Sequence, residues 1–183
     1  TGVSKNDIHL GPWYTDEDAQ AEVHRFNATH LAPQVAAPHS PANTRAVHEF
    51  QNVAVQVAYI GACTGAKLDD LRAAAQVFKG KRIAPGVRLM VAPASLTDQS
   101  QAENEGVMSV LRDAGAEVLP TACGACSGYG GSIPDGANVI ATTARNFKGR
   151  MGSATAQVYL ASPYTVAASA LRGFISDPRE ALA

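Results

Sequence analysis

From Val53 onward, hydrophobic and polar positions fall into alternating blocks of two kinds. Val53-Ala54-Val55-Gln56-Val57-Ala58-Tyr59-Ile60 is β-branched and almost wholly apolar, the pattern of a strand buried on both faces. A turn of small residues, Gly61-Ala62-Cys63-Thr64-Gly65, follows it. Thr64 is then placed to cap a helix over 66–78, where Leu68, Leu71, Ala74, Ala75 and Phe78 form one stripe and Gly80 supplies the stop. Asp69 and Asp70 in its first turns suit the helix dipole as solvated acids. A strand over 87–92 and a helix over 98–113 repeat the unit, with Thr97 as cap, a Ser100/Glu103 capping-box spacing and Gly115 as terminator. A short strand over 116–119 and strands over 138–142 and 157–161 follow, and Ser162-Pro163 opens a last helix over 164–171. Alternation of this kind predicts an α/β fold, a three-layer αβα sandwich with a mostly parallel sheet.

Before residue 51 the rhythm is missing. Gly11-Pro12, Ala32-Pro33, Pro38-His39-Ser40-Pro41 and Asn43 interrupt every run, and only residues 16–26 suggest a short helix. Residues 1–50 therefore read as an irregular lead-in that packs on a neighbouring domain, and residues 51–183 as the α/β domain. A long lead-in without its own core leads to the expectation that the chain begins partway through a larger protein. His9, His24, His30, His39 and His48 have no metal-ligand spacing to one another and read as surface or hydrogen-bonded residues.

Composition narrows the function. The 183 residues are 46% hydrophobic, enough for a packed core in one domain. The net charge of -1 supplies no basic field for nucleic acid or an anionic membrane. No apolar run approaches the roughly 20 residues of a membrane span, and residues 1–7 lack the apolar core of a signal peptide, so the expected location is cytoplasmic. The three cysteines are too few, and odd in number, for a disulfide framework.

Those cysteines carry the candidate chemistry. Thr121-Ala122-Cys123-Gly124-Ala125-Cys126-Ser127-Gly128 sets a Cys-x-x-Cys pair on a loose backbone, able to share a metal centre or to form a reversible disulfide. Cys63 lies in the first turn. In a parallel sheet both turns fall at the carboxyl ends of strands, so three sulfurs are expected to converge there. Buried free thiols remain the alternative. Arg145 and Arg150 flank Asn146-Phe147-Lys148-Gly149 after a strand. Their guanidinium forks suit carboxylates, although spacing alone favours solvated arginines.

Several segments together resemble one family. From about residue 32 to its end the chain looks like the carboxyl-terminal part of the 3-isopropylmalate dehydratase large subunit, in the aconitase superfamily. The resemblance rests on Pro38-His39-Ser40-Pro41-Ala42-Asn43, Tyr59-Ile60-Gly61-Ala62-Cys63-Thr64-Gly65, Asp69-Asp70-Leu71-Arg72-Ala73-Ala74-Ala75, residues 121–128, Ala144-Arg145-Asn146-Phe147-Lys148-Gly149-Arg150-Met151-Gly152, Tyr159-Leu160-Ala161-Ser162-Pro163 and Ser176-Asp177-Pro178-Arg179-Glu180. It implies an iron-sulfur domain of a hydro-lyase. Cys63, Cys123 and Cys126 would bind three irons of a [4Fe-4S] cluster, and the fourth iron would take the hydroxyl and carboxylate of a small hydroxy di- or tricarboxylate such as isopropylmalate. Arg145 and Arg150 match family arginines that hold substrate carboxylates.

The resemblance brings no catalytic acid or base onto this chain. Family enzymes carry those on further domains or a small subunit, so the expected partners are the remaining parts of the dehydratase, the missing portion is expected upstream, and the chain alone is expected to be inactive. Ala62, Gly65 and Ala144 stand where the family usually has Ser, Asn and Asn. These departures keep open a second function, a non-catalytic metal-binding or redox-sensing α/β domain.

Overall fold

The computed structural model describes residues 18–129 and 133–182. It falls into two units, residues 1–31 and 32–183. In the first, residues 18–31 are exposed and form neither helix nor strand. The expected helix over 16–26 is therefore absent from residue 18 onward, because no apolar face is buried to offset the entropy of ordering it. Residues 16 and 17 lie outside the described residues.

The second unit is an α/β fold around a seven-stranded sheet. Its strands are β1 (Gln34–Ala36), β2 (Thr44–Ala46), β3 (Val57–Gly61), β4 (Arg88–Ala92), β5 (Glu117–Val118), β6 (Asn138–Ala141) and β7 (Gln157–Leu160), in the order β2-β1-β7-β6-β3-β4-β5. The five strands from β7 to β5 are parallel, while β1 runs antiparallel to both β7 and β2. The second unit begins at Ala32. Two three-residue strands lie in the segment read as irregular. Its Pro-His-Ser-Pro-Ala-Asn motif is the connection between them: Asn43 Nδ2 donates to the Pro38 carbonyl at 3.0 Å and Thr44 Oγ1 to that of Pro41 at 2.7 Å.

Alternation along the central strands separates two cores. Ala58, Ile60, Leu89, Val91 and Ile140 face one side, and Val57, Tyr59, Met90, Ala92, Val139, Ala141 and Val158 the other. The first side is covered by helices: α1 (Leu68–Phe78), α2 (Leu96–Asn104), α3 (Val107–Asp113) and α4 (Pro163–Arg172) bring Leu71, Phe78, Ala102, Met108, Leu111 and Val166 against it. A short α5 (Arg179–Leu182) follows, with Ala181 packed on the same core. The other side is covered, among the described residues, by turns bringing Ala62, Ala125, Cys126, Ile133, Met151 and Ala156. The third layer of the expected sandwich is therefore irregular, apart from a 3-10 turn over Gly124–Ser127.

Caps differ from the sequence-based expectation in ways that local chemistry explains. Helix α1 starts at Leu68 rather than near residue 66, with the Asp70 carboxylate accepting from the Lys67 N–H at 3.1 Å. Ser95, not Thr97, caps α2, its Oγ accepting from the Asp98 N–H at 3.0 Å. Asp98 also accepts from the Leu68 N–H at 3.0 Å, so one carboxylate ties the starts of two helices. The single helix expected over 98–113 breaks in two at Gly106, whose φ of 73° suits glycine and ends α2.

Candidate iron-sulfur site

Three turns leave the sheet at one edge. Cys63 lies two residues beyond β3, Cys123 and Cys126 follow β5, and Arg145 and Arg150 follow β6. Because these strands are parallel, their carboxyl ends share that edge, the place where open α/β sheets hold ligands. Ala62 turns the chain towards Cys63 with a left-handed φ of 68°, a conformation that a residue with a Cβ holds only when its surroundings impose it.

Close contacts lock the turns to one another. Thr142, just past β6, accepts at Oγ1 from the Gly61 N–H at 2.9 Å and donates to the Gly61 carbonyl at 3.2 Å. Gly65 presses on the same threonine: a Cβ there would stand 2.3 Å from Thr142 Cβ and 2.5 Å from its carbonyl oxygen. The Cys123/Cys126 turn meets the arginine turn through Gly128, where a Cβ would come 3.0 Å from the Gly152 nitrogen. Asn146, fully buried between the two arginines, donates from Nδ2 to the Ala37 carbonyl at 2.7 Å and to that of Val158 at 3.0 Å. Its bonds hang the arginine turn from the end of the hairpin and from β7.

Beneath these turns lies Tyr59, fully buried on β3. Its ring runs over Gly61, where an added Cβ would sit 2.1 Å from Tyr59 Cζ. Burial pushes the phenol pKa up to about 12, and the nearby Cys126 and Cys123 thiols act in the same direction; the backbone groups of Cys126 and Ala62 oppose them. The hydroxyl has no hydrogen-bond partner among the described residues. Residues of both cysteine-bearing turns, Cys126 and Ala62, thus act on the Tyr59 hydroxyl.

The two arginines have different settings. Arg145 is exposed and forms no ion pair among the described residues. Arg150 is half-buried, its guanidinium carbon 5.7 Å from the Phe147 ring centroid and its Nη2 3.6 Å from Cys126 Sγ, which it approaches as a donor. Its Nε is buried without a partner among the described residues, as is Asn146 Oδ1.

Cys126 is buried, whereas Cys63 and Cys123 are exposed. Among the described residues no three His, Cys, Asp or Glu side chains form a site for a metal ion. The donor chemistry nevertheless fits an iron-sulfur group: thiolate is its ligand, and a cluster several atoms wide spreads its thiolates further than a lone ion does. The unpartnered atoms of Tyr59, Arg150 and Asn146 belong to the segments that carry or support the cysteines and arginines. Beside Cys123 a cavity of about 250 Å³ is lined by Ala92, Leu119, Pro120, Ala122, Gly124 and Tyr129. Sequence reasoning missed Tyr59, Thr142 and Asn146. The available signal was a lone phenol inside an apolar strand, two residues before a glycine.

Known proteins share much of this sequence. The model of the aconitase family (aconitate hydratase) matches residues 4–173. The 3-isopropylmalate dehydratase large subunit of Oleidesulfovibrio alaskensis is 46% identical over 177 residues, which cover 96% of this chain and 42% of that protein. The large subunit from Nautilia profundicola is 44% identical over 171 residues, covering 91% of this chain and 40% of its own length. Large subunit 2 of Archaeoglobus fulgidus is 44% identical over 169 residues, covering 91% and 41%. The chain therefore spans about two fifths of the length of these curated relatives.

Proposed function

The chain belongs to the aconitase family, and from that premise we propose that its α/β unit is the iron-sulfur-holding part of a hydro-lyase. The complete enzyme would dehydrate and rehydrate a small hydroxy di- or tricarboxylate such as isopropylmalate. Cys63, Cys123 and Cys126 hold a [4Fe-4S] cluster in this reading. When bound, the cluster supplies an iron with an open position, a Lewis acid that polarises the leaving hydroxyl.

The remaining steps fall to side chains. Arg145, exposed and unpaired among the described residues, offers its fork to a substrate carboxylate. Arg150 shares its charge between Cys126 Sγ and the acid, its plane set by the Phe147 ring. Thr142 and Asn146 hold the turns, so that the arginines stay aligned with the cysteines without reorganising as the acid arrives. The base that takes the carbon-bound proton is assigned to the three fifths of the relatives' length that the chain does not span, or to a partner subunit. The expected location is the cytoplasm, and no helix among the described residues is long and apolar enough to cross a membrane.

One observation supports this reading above the rest: Arg150 Nη2, on the arginine turn, lies 3.6 Å from Cys126 Sγ on the cysteine turn. Incubation of the anaerobically reconstituted chain with 2-isopropylmalate or citrate tests the division of labour. The account expects no unsaturated acid from the chain alone and turnover when the remaining domains or subunit are added. Steady formation of the unsaturated acid by the isolated chain would refute it.

A further inference from the structure

Neither thiolate ligation nor carboxylate binding uses Tyr59. Its hydroxyl is buried without a partner among the described residues, a situation that costs roughly 1–3 kcal/mol and that phenylalanine would avoid with the same ring. Packing therefore explains the ring and not the oxygen. The strand is shaped to bring that oxygen to the edge: Gly61 has no Cβ, and the ring occupies the space one would fill, at 2.1 Å from Cζ. Tyr59 belongs to the same buried apolar cluster as Val57, Met90, Val139, Ala125, Cys126 and Met151, and the groups that act on its hydroxyl are the thiols of Cys126 and Cys123 and the backbone of Cys126 and Ala62.

We propose that Tyr59 is a positioning residue of the sulfur site, its hydroxyl donating a hydrogen bond to one sulfur atom of the group held by Cys126, Cys123 and Cys63. The proposal rests on the iron-sulfur reading given under Proposed function. A phenol can donate one hydrogen bond, and a bond to an ionised acceptor is about twice as strong as a neutral one. Donors aimed at cluster or thiolate sulfur favour the more negative, reduced form and so raise the reduction potential. Arg150 already approaches Cys126 Sγ from the arginine turn; Tyr59 would supply the second donor, from beneath.

Tyr59→Phe tests this in the full chain, metal-free and after anaerobic reconstitution with iron and sulfide. The metal-free variant should melt no lower than the wild type, because the lost hydroxyl had no partner to lose. Loaded, it should hold as much iron and sulfide, yet its reduced-to-oxidised ratio at a fixed potential should fall about tenfold. That corresponds to a midpoint about 59 mV lower for one electron in an EPR-monitored titration. Release of iron in air should be several-fold faster. A metal-free variant that fails to fold or melts lower would show that the hydroxyl already serves the fold, and would overturn the proposal. So would a loaded variant with unchanged midpoint and unchanged iron release. If the wild type takes up no iron, the iron-sulfur reading itself fails and this inference falls with it, an outcome distinct from a loaded wild type matched by its variant.

Discussion

The two faces of the sheet bury their apolar strands in opposite ways. On the helix-covered face, leucines, alanines and Phe78 from several helices close the core, and buried polar groups find partners there. Ser169 Oγ donates to the Thr165 carbonyl at 2.7 Å and accepts from the Ser176 N–H at 3.0 Å, and the Asp177 carboxylate accepts from Arg179. On the turn-covered face the closing residues are small, and their backbone is set by side chain to backbone bonds and by glycines that admit direct contact. Among the described residues, Tyr59 OH, Asn146 Oδ1 and Arg150 Nε lack partners on or beside that face. One face is built to be stable; the other keeps donors and acceptors in reserve, as a site for a ligand does.

Substitutions on the two faces should therefore have different consequences. The largest effect is expected from Phe78→Ala on α1, which empties a fully buried ring position and should cost about 3–5 kcal/mol in denaturant unfolding. Chains that remain folded should still take up iron, since no site residue has moved. Gly65→Asn comes next. Its Cβ would collide with Thr142, including the carbonyl oxygen at 2.5 Å, so about 1–3 kcal/mol of strain is expected, this time together with reduced iron uptake. Equal iron uptake by this variant and Phe78→Ala would break the contrast between the faces.

Smaller effects sharpen the contrast on the helix-covered side. Hydrogen bonds from the Arg179 guanidinium hold the Asp177 carboxyl below its usual range. Stability from this pair is thus complete above the ordinary carboxylate pKa and fades as pH falls below about 4 and through the lowered value. Asp177→Asn should cost about 1–2 kcal/mol near neutral pH and flatten the acid limb of the stability-pH curve. The smallest change is expected for Glu103→Gln, which removes an exposed pair with Arg112 between α2 and α3. A shift of about 0.5 kcal/mol would match surface ion pairs elsewhere.

What the sequence revealed follows the same division. The apolar, β-branched runs of β3, β4, β6 and β7 and the striped helices α1 and α4 are legible because burial on the helix-covered side imposes a period. The turns bearing Cys63, Cys123 and Cys126 are legible as positions, since small residues after strands mark the carboxyl edge. The hairpin of β1 and β2 is not: three-residue strands broken by prolines carry no period, and a bond from Asn146, 109 residues further on, helps to secure their connection. The break at Gly106 is decided by one backbone conformation within a continuous helical pattern. Tyr59 is hidden for the opposite reason. In a strand buried on both faces it reads as one more core residue, and only its packing over Gly61 distinguishes the hydroxyl.

The central claim, that the turn-covered face holds an iron-sulfur group on three sulfurs, is tested most directly by anaerobic iron and sulfide analysis with EPR. The comparison needs the wild type and the single variants Cys63→Ala, Cys123→Ala and Cys126→Ala. The account predicts the iron and sulfide of a [4Fe-4S] cluster in the wild type and a marked loss in each variant, with the metal-free chains folded alike. A wild-type chain without iron, or one whose iron content survives removal of any of the three thiols, would contradict it.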